Sequence, residues 1–488
     1  MFLSPRLLFP LALIAFHVNA ALYHPTPQQS LLEHILVDNW GAYASNFSSA
    51  ITPCDRYVTQ TGTAALTSGR TTAAQWMRVL FHDFITADVA KGTGGVDASI
   101  GFETAREENK GSAFNDSFTF WRPFVNEYVS MADLVALGTV MSNNLCGGKD
   151  MAYRPGRVDA TEAGITTGVP APETSLEETL EFFERAGFGK KDAIGLTACG
   201  HTMGSVHHGG FPEVVDESFV TPNNTNGGSN FDTTRSIFDP RVVAEYLNGT
   251  GSRGGPLLMG RAIETVPNGV QLGDPITAMP VKPINVTYDF DEDKKLVLSG
   301  KIRILTPGNA SPPQTLSLHI GQAEETLVAE AETGTSVFGR ENANYGITTY
   351  FPFVLSGPVI RNATVLTVRG PTISEQTFDI SSQVFIVPSA TTMQGKTLSV
   401  TVAVAKPYSC DTLSVRTAAP LTQPGTLAPK MSQRTADLGK ANGSVDVYTL
   451  CQGVATISGL PTGLVTVEAA VGKKVVDTLL VDGGTAGW

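Results

Sequence analysis

Ala74-Gln75-Trp76-Met77-Arg78-Val79-Leu80-Phe81-His82-Asp83-Phe84 is the stretch on which the reading of this chain turns. Read as a helix, it places Arg78 and His82 four residues apart, on one face and one turn from each other. A fixed cation beside an imidazole, with Phe81 next to them, suits a small polar pocket that polarises a bound oxygen species. A plain helix with a surface Arg and a capped core His would read the same way, so partners further along the chain must decide.

Working outward, Lys91-Gly92-Thr93-Gly94-Gly95-Val96-Asp97-Ala98-Ser99 is a glycine-rich loop with oxygen donors at alternate positions. Asp97 and Ser99 can offer side-chain oxygens to a hard cation, and Asp83, directly after His82, can close the same site. A plain turn is the competing reading. Met131 to Leu145 is a largely apolar helix, and Tyr153-Arg154-Pro155-Gly156-Arg157-Val158-Asp159 is a basic loop suited to holding carboxylates. Ser175-Leu176-Glu177-Glu178 is a capping box that opens a helix ending at Gly187. A further helix is expected over Asp192–Met203, carrying Ala198-Cys199-Gly200-His201-Thr202, where the small residues beside His201 would let something flat lie against that face. Asp232-Thr233-Thr234-Arg235-Ser236-Ile237-Phe238-Asp239 is a second run of oxygen donors.

The chain has 488 residues, too many for one ordinary core, so two or three domains are expected. With 34 basic and 46 acidic residues, the net charge of -12 argues against a phosphate-backbone partner. Residues 1–20 read as a secretory signal, with Arg6, an apolar run from Leu7 to Phe16 and Val18-Asn19-Ala20 as cleavage site. No stretch is apolar for long enough to span a bilayer, and no membrane anchor is expected. Eight Asn-x-Ser/Thr sequons, at Asn46, Asn115, Asn223, Asn248, Asn285, Asn309, Asn362 and Asn442, fit a secreted, extracellular glycoprotein. Five cysteines leave one unpaired. Cys54 with Cys146 and Cys410 with Cys451 are the natural pairs, and Cys199 is left over. From about Pro283 long helical periodicity gives way to alternating Val, Thr and Ile. Residues 282–388 are expected as one β-sandwich-like domain and 389–488 as a second β-rich domain, or both as one larger β unit.

Taken together, residues 30 to about 260 resemble the plant and fungal haem peroxidase superfamily, and look most like its secreted fungal class with an added β-rich C-terminus. The resemblance implies a multidomain chain, with a mainly α haem peroxidase domain over residues 21–275 followed by β-sandwich-like domains. It implies that His82 is the acid–base catalyst, that Arg78 stabilises charge, and that Asn109 bonds His82 and sets its tautomer. His201 would be the axial ligand of haem b, with Phe81 above and Phe231 packed beneath. Two calcium sites follow: Asp83, Gly95, Asp97 and Ser99 on one side, and Thr202, Asp232, Thr234, Ile237 and Asp239 on the other. Cys54–Cys146 would be a family disulfide. The implied reaction uses hydrogen peroxide to oxidise small organic electron donors, phenols by default. His82 should then have a lowered pKa, with Asn109 and Arg78 contributing.

The sequence departs from that pattern in one place. The family's Asp that accepts the proximal His Nδ1–H lies on a segment some tens of residues past the second calcium motif, and here the chain runs almost at once into the β region. Asp274 is the nearest candidate. A manganese site would need acidic residues where this chain has Thr71, Gln75 and His207, and a surface Trp would stand where it has Leu196. Against an active peroxidase stands a secreted binding or structural module with an impaired site. Glycan or cell-wall contact through the β domains rests only on their texture.

Overall fold

A computed structural model describes residues 19–21, 23–58, 63–165, 168–171, 174–248, 259–308, 310–321, 323–331 and 346–483. Most of the expected signal, the sequon at Asn309 and the Gly249–Thr250 stretch lie outside the described residues.

Strand β1 (Asn19–Ala21) precedes helix α1 (Pro27–Val37). The helical domain continues with α2 (Thr72–Phe84), α3 (Ala113–Trp121), α4 (Met131–Leu145), α5 (Leu176–Arg185) and α6 (Lys190–Gly200). A short hairpin of β2 (Ser205–His207) and β3 (Gly228–Asn230) follows, then α7 (Arg241–Leu247) and α8 (Met259–Ile263). Every residue of α4 is buried, as an apolar helix at the centre of a domain must be. Gly138 makes that centre possible. A Cβ there would stand 2.9 Å from the Trp121 ring and 3.1 Å from Trp76, so its absence lets both indoles lie against α4. Ser130 Oγ accepts the Asp133 amide, and the Asp159 carboxylate accepts those of Met131 (3.1 Å) and Ala132 (2.8 Å). The otherwise orphaned N–H groups at the start of α4 are thus satisfied.

The basic loop before Asp159 does hold a carboxylate, and the role is structural. Arg157, wholly buried, donates from Nη1 to Asp133 Oδ1 at 3.0 Å and from Nε to the Ile263 carbonyl at 3.0 Å. It ties the start of α4 to the end of α8. At α5, Ser175 Oγ caps the Glu178 amide at 3.2 Å, and Gly187, at φ +86°, takes the left-handed turn just beyond the helix. Helix α6 stops at Gly200 rather than at Met203. Thr202 Oγ leaves the helical path to donate to the Asp239 carbonyl at 2.6 Å, and the Gly204 amide donates to the Arg235 carbonyl. His201 therefore sits at the helix terminus, not inside it.

The β region begins with β4 (Val281–Phe290) and β5 (Leu296–Thr306), which pair with β8 (Ile347–Ser356) in an antiparallel sheet. A second sheet joins β6 (Thr315–Ile320), β7 (Ala323–Val328), β9 (Val365–Gly370) and β10 (Ile373–Asp379). The inward residues of both, among them Leu298, Ile302, Leu318, Phe351 and Leu366, form one core. Strand β11 (Val384–Ile386), on the near side of the expected boundary at 389, already belongs to the larger sheet system that follows. That system adds β12 (Thr392–Gln394), β13 (Thr397–Val404), β14 (Leu413–Leu421), β15 (Lys430–Val445), β16 (Tyr448–Thr456), β17 (Val465–Val471) and β18 (Lys474–Val481). The first half of β15 pairs with β14 and its second half with β16, so one strand serves two layers. β1 pairs with β18 at the far edge. Disulfides join Cys54 to Cys146 and Cys410 to Cys451, and Cys199 is a buried cysteine outside both.

The β region is joined to the helical domain, not merely strung after it. Leu305, Leu464 and Leu480 enter the helical core. Arg303, fully buried, donates to Glu33 Oε1 at 2.5 Å and Asp38 Oδ2 at 2.7 Å, and Lys282 Nζ reaches Glu33 Oε2 at 2.7 Å. Burial alone would raise both carboxyls, but the Arg303 guanidinium outweighs it and holds each below the ordinary carboxylate range. Removing one member of such a cluster strands the others. Arg303→Leu is expected to cost about 3–5 kcal/mol in denaturant unfolding, whereas a loss under about 1 kcal/mol would mean the charges are solvated. Because both folded-state pKa values are depressed, this contribution is present above about pH 4 and fades as pH falls further.

Candidate functional site

Helix α2 begins where Thr71 Oγ accepts the Ala74 amide at 3.3 Å. Trp76, Val79 and Leu80 are buried on its core side. Ala74, Arg78 and Phe81 remain partly accessible at helical spacing, so the face read from the sequence does border open space.

On that face Arg78 Nε–H donates to His82 Nε2 at 3.4 Å. His82 Nδ1 and Asn109 Oδ1 are 2.7 Å apart, and Asn109 Nδ2 donates to the Glu103 carbonyl at 3.0 Å. The second bond orients the first. With its N–H₂ committed to Glu103, Asn109 can only present its oxygen, so the proton of a neutral His82 resides on Nδ1. Nε2 then carries the lone pair and faces Arg78. The three residues expected to act together are brought together: Arg78, His82 and Asn109.

Electrostatics favour that neutral form. Burial, with Arg78 adding to it, pushes the His82 imidazole down to about 3. Asn109 acts in the opposite sense from the sequence expectation. An acceptor on Nδ1–H is better matched to the imidazolium, so this bond raises the pKa and only partly offsets burial. Burial, and then Arg70, lowers Arg78 to about 10, which leaves it charged at neutral pH. Phe114 and Phe211 complete the surroundings, with the Arg78 guanidinium carbon 5.1 and 6.0 Å from their ring centres. Neither was found from sequence, because each reaches Arg78 only after distant segments fold back over α2.

His201 stacks on Phe231 with ring centres 4.3 Å apart and planes 29° apart. Burial alone lowers its imidazole to about 4, so it too is a neutral nitrogen base at ordinary pH. At Gly200 an added Cβ would meet no atom within 4 Å, so the wall is open next to His201. Gly204, at φ +85°, brings this segment against α2, since a Cβ there would come within 2.5 Å of the Ala74 side chain. A neutral imidazole beside an open wall, in a segment that Gly204 brings against the helix carrying Arg78 and His82, is a donor set that fits a flat metal-bearing group such as haem. Among the described residues no carboxylate accepts from the His201 ring. Asp274 is exposed, and its neighbours bond to the Tyr153–Pro155 loop.

The side chains of the two expected calcium sets lie near one another, Asp83 with Asp97 and Ser99, and Thr202 with Asp232, Thr234 and Asp239. Asp83, fully buried, accepts the Ala98 amide at 2.8 Å and the Ile100 amide at 3.2 Å, while Asp97 Oδ1 accepts the Ser99 amide at 3.0 Å. Burial and then the Asp97 charge raise the Asp83 carboxyl well above its ordinary range, and Ser99 Oγ is buried without a hydrogen-bond partner. The Gly95 carbonyl lies on the same loop, accepting the Asp97 amide at 3.0 Å. Two like charges driven upward beside an unsatisfied hydroxyl have the chemistry of an oxygen cage for a cation. In the second set, Thr234 Oγ donates to Asp232 Oδ1 (3.2 Å) and Asp239 Oδ1 (3.3 Å), and the Asp239 amide donates to Thr202 Oγ. Asp232 Oδ2 is buried and unpartnered, and the Ile237 amide donates to the Thr234 carbonyl. Among the described residues no group of three His, Cys, Asp or Glu is arranged around one point, so any ion here would rely on hydroxyl and carbonyl oxygens as well.

His207 and His208 are half-buried, and they point to different partners: Ser205 Oγ at 3.1 Å and the Val215 carbonyl at 2.7 Å. They form no metal pair. Gln75 donates to Asp116 Oδ2 at 2.9 Å. The six sequon asparagines whose side chains are described, Asn46, Asn115, Asn223, Asn248, Asn285 and Asn362, are all exposed. Among the described residues no helix is long and apolar enough to cross a membrane.

Residues 58–265 match the family model described as peroxidase. A WSC domain-containing protein of Arthroderma benhamiae is 34% identical over 370 residues, covering 67% of this chain and 48% of that protein. That likeness runs well beyond the matched domain. L-ascorbate peroxidase 5, peroxisomal, of Arabidopsis thaliana is 34% identical over 145 residues, covering 29% of this chain and 51% of its own length. Manganese peroxidase H4 of Phanerodontia chrysosporium is 30% identical over 207 residues, covering 40% of this chain and 50% of its own length. The chain spans about half the length of these relatives. It carries a peroxidase-family domain followed by a β-rich region.

The geometry has a direct spectroscopic consequence. The His82 ring should stay neutral down to about pH 3, with its proton on Nδ1, in imidazole nitrogen NMR. A titration near 6.5 would mean the pocket is wet. Because the folded-state pKa is lowered, the unfolded chain takes up the proton first. This histidine therefore destabilises the fold progressively as pH drops from about 6.5 toward 3.

Proposed function

We propose that this chain is an extracellular haem peroxidase that uses hydrogen peroxide to oxidise small phenolic donors. The observation that carries the reading is the hydrogen-bonded series Glu103–Asn109–His82–Arg78, which fixes a neutral base beside a partly buried cation. Haem b, held by His201 over Phe231, would supply the iron that binds peroxide and passes one-electron oxidation on to donors. His82 Nε2, the unprotonated nitrogen, is the atom that would accept a proton from peroxide and return it to the departing oxygen. Arg78 stabilises the negative charge that develops as the O–O bond breaks. Phe81, Phe114 and Phe211 keep the pocket apolar around these two groups, which strengthens their electrostatic effect.

Calcium would be held by Asp83, Asp97, Ser99 and the Gly95 carbonyl, and by Asp232, Asp239, Thr202, Thr234 and the Ile237 carbonyl. It would neutralise the buried carboxylates on either side of the pocket. Manganese is not the favoured donor. Thr71, Gln75 and His207 stand where its carboxylates would be needed, and each is engaged in local hydrogen bonds. Secretion is supported by the signal-like N-terminus, the two disulfides and the exposed sequons. The same reading extends to contact with cell wall or glycan through the β region.

One observation favours a second reading. A metal-bound His ordinarily donates its other N–H to a carboxylate, carbonyl or water, and here His201 is supported by its stacking on Phe231. A less basic His201 would slow the peroxide reaction and, at the limit, leave a haem-binding module with little turnover.

Stopped-flow mixing of the holoprotein with hydrogen peroxide separates the two. A fast spectral change, slowed about 10²- to 10⁴-fold in His82→Ala, supports the peroxidase. A haem protein indifferent to peroxide supports the module. Calcium at 100 times its dissociation constant should add about 2.7 kcal/mol to stability for each site filled, and a chelator should remove it. A melting midpoint unmoved by either would refute the calcium sites.

A further inference from the structure

The β14–β15 connection, residues 422–429, reaches out of the C-terminal sandwich and ends against the helical domain. Thr426 Oγ donates to the Gly101 carbonyl at 2.7 Å, and the Leu427 amide donates to the same oxygen at 2.9 Å. Leu427 packs on the helical core, and Ala428 is buried. The fit is tight on both sides. A Cβ on Gly101 would stand 2.8 Å from the Phe118 ring and 2.9 Å from the Ala428 nitrogen. The loop is braced from within, since Thr426 Oγ also accepts the Ala428 amide and Gln423 Nε2 donates to the Ala428 and Pro429 carbonyls.

Gly101 lies in the middle of the segment that holds the distal histidine. One residue before it, the Ile100 amide donates to Asp83, the neighbour of His82. Two residues after it, the Glu103 carbonyl accepts from Asn109 and so aims the Asn109 oxygen at His82 Nδ1. We propose that the sandwich loop is a positioning element for the distal base, with Thr426 and Leu427 fixing residues 99–103 and through them Asn109 and His82. A short single-turn helix such as Ser99–Phe102 has little stability of its own, so external hydrogen bonds to its carbonyl decide how far it moves. The β region thereby shares in the site instead of being only an appended module. This proposal rests on the peroxidase reading for its catalytic consequence, though not for its structural one.

The test compares wild type, Thr426→Val, which at nearly constant volume removes the bond to Gly101 and the internal bond to the Ala428 amide, and Thr426→Ser, which restores both. Amide hydrogen exchange at residues 98–103 and 109 is read on the whole chain alongside the melting midpoint. Exchange at those amides should speed up about 3- to 10-fold in Thr426→Val, the size of one lost hydrogen bond. It should return in Thr426→Ser, with the rest of the protein and the midpoint nearly unchanged. Unaltered exchange in Thr426→Val would overturn the proposal, whether or not the protein turns over. If the wild type reacts with peroxide, the second-order rate constant with peroxide should fall by a similar factor while KM for the donor holds. A peroxide rate constant that stays at the wild-type value would likewise overturn the catalytic part. A wild type inert to peroxide refutes the peroxidase reading alone, since the exchange comparison still decides the positioning.

Discussion

The hydrogen bond between His82 Nδ1 and Asn109 Oδ1 is the constraint on which the candidate site depends. An imidazole next to the Arg78 guanidinium would otherwise be free to rotate or to hold its proton on either nitrogen. Asn109, itself committed to the Glu103 carbonyl, removes that choice and leaves Nε2 as an unprotonated base facing Arg78. The same bond favours the charged ring, but burial outweighs it and keeps the ring neutral. Orientation comes from the hydrogen bond and neutrality from desolvation, two jobs done by two different forces.

The surrounding fold serves this arrangement by locking the elements that carry it. Gly138 admits Trp76 and Trp121 to the centre, seating α2 on α4. Arg157 ties α4 to α8, and Arg303 ties the first β unit to the helical domain through Glu33 and Asp38. Each of these is a buried cation with its partners in place, which is costly to break and specific in geometry. The side beneath the site is held differently, with His201 stacked on Phe231 at a helix end and no carboxylate beside it among the described residues.

Much of this was legible in the sequence, and the limits are physical. Met131–Leu145 reads as a buried helix because apolar residues on every side leave no polar face for water. Arg78 and His82 could be paired because four-residue spacing in a helix determines which side chains meet. The end of α6 was misjudged because Thr202 is drawn away by Asp239, a partner 37 residues on. Arg303 gave no signal at all, since its carboxylates lie 265 and 270 residues earlier and only the folded chain brings them together. The contact of Thr426 with Gly101, 325 residues apart, was hidden for the same reason. The sign of Asn109's effect on His82 was misread because a residue's presence near a histidine does not say which protonation state it bonds better.

The proposed role of His201 as the ligand of a haem that reacts next to Arg78 and His82 is the point on which the rest depends. Titrating the purified chain with haemin, and its His201→Ala variant in parallel, tests that role most directly. The expected result is one haem per chain, with a ferric spectrum of a histidine-ligated iron that is lost in His201→Ala and restored by added imidazole. Identical spectra and stoichiometry in the two proteins, or no haem uptake by either, would contradict it.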